Sequence, residues 1–373
     1  MSALLVAGLY CALSVTWTIG TLASALLQPV RRRIDVAKTT RAISVIVPTS
    51  TIRSPRIDKE RNDAIASLLD MDATSREILV CLDSSDADNR LALDLEERFS
   101  PDGVRILAAP ARSGANAKID AMETGLRHAV HDLVLFSDDD ILVDRAHLSH
   151  LAAFHADGAM LVSSAAIGMD ARNLAAHLEC SLMNGQFARL HLAGDFLGFS
   201  GALGKTVMMA RPGIGALGGL LPANTDCCED AALTRMVKRS GGRVVLSDLV
   251  VRQPLGALRY RDVLRRHRRW LSCRRKYLPV VFLLEALFST IPTAIAGSVV
   301  LDIVAGLPLL GLVLVAVLHC AADSLFAMAH RYFGRHTVAA WFVRELLFLP
   351  LWTAALVART VIWHGKRVPV SGS

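Results

Sequence analysis

No two of the seven cysteines stand in CxxC spacing. Cys11, Cys81, Cys180, Cys227, Cys228, Cys273 and Cys320 are odd in number and scattered along the chain. This excludes a structural zinc site, argues against a disulfide framework, and predicts reduced thiols in a cytosolic compartment. Charge is scarce as well. Only 20% of the 373 residues are charged against 53% hydrophobic, and the mean hydropathy is +0.40. A soluble globular chain has about a quarter of its residues charged and under half apolar. Disorder is therefore excluded, and so is a purely soluble protein. Internal repeats and low-complexity tracts are absent, which excludes a solenoid.

The apolar excess sits at the two ends. Residues 2–30 carry no charge, and Arg31-Arg32-Arg33 follow. A secretory signal places its positive charge before the apolar core, so this order predicts a membrane anchor over 1–30. The positive-inside rule then puts the arginines in the cytosol and the N-terminus outside. A second apolar region spans 278–363. Leu278–Leu301, with Glu285 and a kink at Pro292, and Ile303–Ala322 form a helical hairpin by this reading. Arg344 and Glu345 interrupt the third segment, Thr337–Val357, and basic stretches flank it on both sides. It is expected to be interfacial or re-entrant. A basic tail, 364–373, closes the chain.

Residues 40–250 alternate β-branched runs with helical periods. The runs Ile43–Val47, Glu77–Leu82, Val104–Leu107 and Asp132–Phe136 read as strands, with helices over Asn62–Leu69 and Ala117–Ala129 between them. Such alternation predicts an α/β domain with a mainly parallel, doubly wound sheet. Ligands of these sheets bind at the carboxyl ends of the strands. The acids cluster there: Asp83 and Asp86 after the second run, Asp138-Asp139-Asp140 after the fourth.

Alternate residues of an extended segment share a face, so Asp138 and Asp140 point together. Two adjacent carboxylates repel unless a cation separates them. Mg²⁺ or Mn²⁺ bridging a diphosphate resolves that repulsion; a solvated acidic turn is the plainer alternative. Asp83 and Asp86 suit a ribose or base N–H, or a helix cap. Lys118, in Asn116-Ala117-Lys118, opens a helix where an ammonium could meet phosphate, or simply face solvent. Asp230, after Glu229, precedes a helical run and is either a cap or a general base. Gly213–Gly218 spells GxGxxG but lies late in the domain and reads as a turn and helix end. Residues 251–277 hold the densest basic run. Within it Arg266 and Arg269 stand one helical turn apart, beside Trp270, as planar forks suited to a diphosphate. The run's position beside the membrane block favours lipid headgroups over nucleic acid.

The order Asp86, Asp138xAsp140, Asp230, Arg266xxArg269Trp270 and then a membrane segment resembles the inverting nucleotide-sugar glycosyltransferases of the GT-A fold. Within them the chain is most similar to the ceramide glucosyltransferase-like family, which includes bacterial ceramide and diacylglycerol glycosyltransferases. Further matches are Asp83xxAsp86, Asn116–Ile119, Gly204–Met209, Ala340–Glu345 and the tail Trp363–Arg367. Ala87 stands where relatives often have a proline. The resemblance implies a GT-A nucleotide-diphospho-sugar transferase domain between N- and C-terminal transmembrane helices. It implies transfer of a hexose from UDP-glucose or UDP-galactose to ceramide or diacylglycerol, giving a β-glycoside. By position, Asp83, Asp86, Lys118, Asp138 and Asp140 would bind the donor. Asp138 and Asp140 would also hold Mg²⁺ or Mn²⁺. Asp230 would be the base, and Arg266, Arg269 and Trp270 would close over the diphosphate and acceptor. It further implies an integral membrane protein, of the inner membrane if bacterial, with a cytosolic catalytic domain. A processive polysaccharide synthase and a catalytically dead membrane scaffold are the rival readings.

Overall fold

The computed structural model of the chain describes residues 2–32, 34, 36, 42–83, 90–109, 116–224, 228–363 and 366–370. Asp86 lies outside the described residues. A long helix, α1 (Ser2–Arg31), leads into alternating elements: β1 (Ala42–Thr49), α2 (Pro55–Leu69), β2 (Ser75–Leu82), α3 (Arg90–Phe99), β3 (Val104–Ala108), α4 (Ala117–His128), β4 (Leu133–Ser137) and α5 (His147–Ala156). Then come β5 (Leu161–Ser163), β6 (Ala166–Ala171), α6 (Leu174–Cys180), a π-helix over Ser181–Ala188, α7 (Arg189–Phe196), β7 (Thr206–Ala210), α8 (Arg211–Ala216), α9 (Glu229–Arg239), β8 (Val244–Leu246) and β9 (Val251–Gly256). The chain ends with α10 (Tyr260–Tyr277), α11 (Pro279–Leu287), α12 (Thr290–Ala305), α13 (Pro308–Ala329), α14 (Thr337–Leu356), β10 (Thr360–Trp363) and β11 (Lys366–Pro369).

Seven strands form one sheet in the order β3-β2-β1-β4-β7-β5-β8. Its first four strands are parallel; β7 runs antiparallel to both β4 and β5. The four runs expected as strands are β1 to β4. β1, β4 and the second half of β2 are apolar on both faces because helices cover both sides, whereas β3 is the edge strand and exposes Arg105. Val45 and Val47 face the layer holding Ile65 and Leu95, while Ile46 between them faces Ile119 and Leu233. That switch of side at successive residues is the strand's period of two. Ser54 caps α2 by accepting from the Ile57 amide at 3.2 Å, with Pro55 in the first turn where no N–H is needed. Gly125 lets α4 press on the sheet: a Cβ there would collide with Ile46 and meet the Cys81 sulfur at 3.0 Å.

α1, α13 and α14 are each long and apolar enough to cross a membrane, as are α11 and α12 taken together. Two expectations change here. The segment over 278–301 is not one kinked helix: α11 and α12 meet at 44°. The break falls at Phe288-Ser289 rather than at Pro292, which sits in the first turn of α12 and costs no hydrogen bond there. The re-entrant shape expected of Thr337–Val357 is also absent; α14 is continuous. Its charges do not interrupt it because they are buried in pairs. Arg344 bonds both Asp323 and Glu345, and Asp323 also takes Arg189 at 2.5 Å. α12 and α13 approach closely at Gly297 and Gly311, where a Cβ on Gly311 would strike the Gly297 carbonyl. α1 is tied to the rest at its middle, where Ser14 bonds Thr293 at 2.6 Å, and just past its C-terminal end, where Arg32 pairs with buried Asp195 at 2.8 Å.

The cysteine reading is corrected as well. Cys228 and Cys273 form a disulfide across a sequence separation of 45. Spacing could not reveal it, because α9 and α10 meet only in the folded chain. Cys228 is buried beneath Val361, Val368 and Val370 of the C-terminal hairpin, which shields the bond from attacking thiolates. A loop of this length is worth about 4 kcal/mol in chain entropy. Peptide mapping without reductant should yield a linked Cys228–Cys273 pair, and Cys273→Ser should lower Tm. Free thiols at both positions would contradict the pairing.

Candidate active site

The site is built where β1, β2 and β4 end, roofed by the starts of α4 and α9 and one face of α10. Asn116 begins it. Its side chain caps α4, accepting from the amides of Lys118 at 3.0 Å and Ile119 at 3.3 Å. Asn224 fixes Asn116 in turn, accepting from its amide at 3.0 Å. The cap aims Lys118 into the cluster. Its ammonium pairs with Asp138 at 2.7 Å and Glu229 at 2.8 Å, and donates to the Gly204 carbonyl at 2.9 Å.

Asp138 follows β4 directly and Asp139 and Asp140 sit in the turn beyond it, where the side chains divide between two sides. Asp138 and Asp140 face one way and share a single ammonium. Lys205 lies 2.7 and 2.8 Å from the two oxygens of Asp140 and 3.2 Å from Asp138. Gln253 of β9 also donates to Asp140, at 2.6 Å. Asp139 turns to the other side and pairs with buried Arg61 at 3.0 Å. Burial raises the Asp138 carboxyl, but Lys118 and Lys205 outweigh it and hold the group ionised. Burial likewise depresses Lys205, and Asp140 and Asp138 more than reverse that.

Glu229 and Asp230 occupy the first turn of α9 and differ in kind. Glu229 is spent on Lys118 and on the Asn116 amide group at 3.4 Å. Burial would raise it, yet Lys118 lowers it overall. Asp230 forms no ion pair among the described residues: it accepts from the Ala231 amide at 2.7 Å and the Gly204 amide at 3.2 Å, with Lys118 acting on it only at longer range. Burial, and then Glu229, push its carboxyl up to about 6, although its edge remains partly accessible. Gly204 must be glycine for this approach: a Cβ there would stand 3.1 Å from Glu229 and 3.4 Å from Lys118.

α10 supplies the third wall. Arg266 pairs at 2.9 Å with Glu179, whose side chain is fully buried in α6. Glu179 also lies 3.2 Å from His267. Burial raises Glu179, but Arg266 and His267 bring it to about 2. The guanidinium of Arg266 is raised first by Glu179 and further by Asp140 and Glu60, which places α10 against the acidic turn. Trp270 stacks on Phe187 of the π-helix at 4.7 Å, and Arg274 covers the same ring at 5.1 Å. Arg269 is half-buried on this helix. Asp83 caps the loop after β1, accepting from the Thr51 amide at 2.7 Å.

The structure therefore brings Lys118, Asp138, Asp140, Asp230 and Arg266 into one neighbourhood. Lys205, Gln253 and Glu179 belong to it too, and the sequence did not point to them. Lys205 is a lone lysine before a strand, Gln253 lies inside one, and Glu179 reads as one acid in an apolar helix.

Comparison with known proteins bears on this site. Residues 8–372 match the family described as glycosyl transferase family 21. Ceramide glucosyltransferase 3 of Caenorhabditis elegans is 22% identical over 331 residues, covering 86% of this chain and 72% of that protein. Ceramide glucosyltransferase 1 of the same organism is 20% identical, covering 87% and 72%. Among solved structures, a mannosyltransferase from Pyrobaculum calidifontis in complex with GDP-Man and Mn²⁺ superposes with a TM-score of 0.51 at 19% identity. The match covers 94% of this chain and 98% of that one.

Proposed function

We propose a reaction for this chain from one premise: it belongs to glycosyl transferase family 21. It moves a hexose from a UDP-sugar, UDP-glucose or UDP-galactose, to the hydroxyl of a membrane lipid, ceramide or diacylglycerol. The product is a β-glycoside formed with inversion. The observation that carries this reading is the division of labour between Glu229 and Asp230. One carboxylate is neutralised by Lys118, and its neighbour has, among the described residues, backbone donors alone beside the paired acids of the turn.

Inversion needs a base on one side of the anomeric carbon and charge stabilisation at the leaving diphosphate on the other. Asp230 takes the proton from the acceptor hydroxyl at its carboxylate oxygen. Lys118, Lys205, Arg266 and Arg269 offer positive charge to the diphosphate. Trp270, braced by Phe187, covers the acceptor side. Asp83 and Asp86 serve the nucleotide. Asp138 and Asp140 suit Mg²⁺ or Mn²⁺, because both carboxylates already converge on one positive charge, the Lys205 ammonium. Two protein carboxylates, with substrate phosphates completing the shell, are a common arrangement for such ions. When bound, the cation would neutralise charge on the departing diphosphate.

The hydrophobic helices make an integral membrane protein the natural setting, with the basic face of α10 on the cytosolic side, at the inner membrane in a bacterium. The test is purified full-length protein in mixed micelles with each UDP-sugar, each lipid and a divalent cation. A β-linked monohexosyl lipid is expected; no product from any pairing would remove the reading.

A pH dependence follows from Asp230. The base works only when ionised, so kcat/KM should fall as pH drops through about 6, the value to which burial and Glu229 raise it. Asp139 is raised to about 6 by burial as well, but it faces Arg61. Asp139→Asn should therefore keep the acid limb. A flat profile from pH 5 to 8 would remove Asp230 as base.

A further inference from the structure

We infer that Lys205 is a resident counter-ion of the Asp138–Asp140 pair, so that a divalent cation gains this site only together with a diphosphate that draws the lysine away. This rests on the reading of the pair as the donor site and adds an order of events to it.

The Lys205 ammonium does not lie beside the pair but between its members, touching both oxygens of Asp140 and one of Asp138. The rest of the pair is also engaged. Lys118 holds the other oxygen of Asp138, and Gln253 shares Asp140. Mg²⁺ or Mn²⁺ bound to these same oxygens at about 2.1 Å would crowd the place the ammonium now fills. A double and a single positive charge that close repel strongly. Arg266 nearby adds to the repulsion, as its lowering effect on Lys205 indicates.

The lysine can leave. Its backbone is pinned, with the Lys205 carbonyl accepting from the Asp138 amide at 3.0 Å. Its four-carbon stem is flexible and its side chain remains 18% exposed. In the free site that departure gives up both carboxylates. A diphosphate makes up for that, because it offers the ammonium new oxygens and gives the incoming cation further ligands. Cation and nucleotide therefore assist each other's binding, and by linkage each raises the other's affinity by the same factor. Lys205 keeps the carboxylates paired in the meantime, which avoids two adjacent unpaired acids.

The experiment titrates Mn²⁺ into purified full-length protein in detergent and reads free Mn²⁺ by electron paramagnetic resonance, with and without saturating UDP. Wild type should show a site with UDP and at least tenfold weaker binding without it. Lys205→Met should bind Mn²⁺ without UDP at least tenfold more tightly than wild type, and lose that site again when Asp140→Asn is added. Lys205→Arg, which keeps the charge, should behave as wild type. Equal wild-type affinity with and without UDP overturns the inference, as does a folded Lys205→Met with no gain. If the Met variant fails to fold, the wild-type comparison decides alone. Hexose transfer is scored on the same preparations. Transfer without Mn²⁺–UDP coupling removes the role of Lys205 and keeps the transferase reading; coupling without transfer does the reverse.

Discussion

Replacing Asp230 with asparagine is expected to lower kcat for hexose transfer by roughly 10²–10⁴-fold, the range a positioned general base contributes. UDP binding should change by less than about twofold, a shift of under roughly half a kcal/mol. Asp230 lies outside the groups that hold the donor, which explains the contrast. The Ala231 and Gly204 amides donate to different oxygens of Asp230, so asparagine keeps one of these bonds, the shorter one to Ala231, and gives up the longer one to Gly204. What is lost is the group that takes the acceptor proton. Glu229→Gln is predicted to fail differently. It removes one of the two carboxylates that hold Lys118, so donor binding weakens before the chemical step does. Transfer by Asp230→Asn near the wild-type rate, measured as initial velocity at saturating donor, would take Asp230 out of the mechanism.

The second large effect is expected at Glu179, a residue that touches no substrate in this account. Its fully buried carboxylate is the anchor of α10, holding Arg266 at 2.9 Å and lying near His267. Removing one partner of a buried pair leaves the other charge uncompensated, which typically costs about 3–5 kcal/mol. Arg266 keeps partial access to solvent, at 30% side-chain exposure, so the lower end applies. Glu179→Ala should thus lower the unfolding midpoint, release Arg266 from α6 and loosen Trp270 on Phe187. Glu179→Gln keeps the shape and one hydrogen bond to Arg266. It should fold nearly as well yet lose at least about tenfold in kcat, since Arg266 then answers to Asp140 and Glu60 without its own anchor. A Gln variant with full turnover would show that α10 needs no such anchor.

Particular residues show what the sequence could reveal. β1, β2 and β4 are legible because strands buried on both faces become apolar runs, and the acids after β2 and β4 mark the ligand edge; β3, at the sheet edge with Arg105 exposed, is marked by its β-branched residues instead. Strand alternation leads to the right expectation that Asp138 and Asp140 pair, but Asp139 and Asp140 lie in a turn beyond β4, and Lys205 is the group on which the two carboxylates converge. β5 and β8, at three residues each, carry no periodicity to detect. Lys205 and Glu179 acquire meaning only through partners 65 and 87 residues away. The same limit hid the Cys228–Cys273 bond. In the membrane region the charges of α14 were read as interruptions, because a linear reading cannot see Asp323 and Arg189 waiting to neutralise them. The break at Phe288-Ser289 does carry a local signal, polar Ser289-Thr290 followed by Pro292 in the first turn of α12, which a reading of Pro292 as a kink passes over.

The central claim is that Asp230, the Asp138–Asp140 pair and α10 form one pocket that glycosylates a lipid at the membrane. Lipid mass spectrometry of a host without endogenous glycolipids tests it most directly. Cells expressing the wild-type chain should accumulate a lipid heavier by one hexose, and cells expressing Asp230→Asn at equal level should not. The same glycolipid in both, or in neither while the wild-type protein is folded in the membrane, would contradict it.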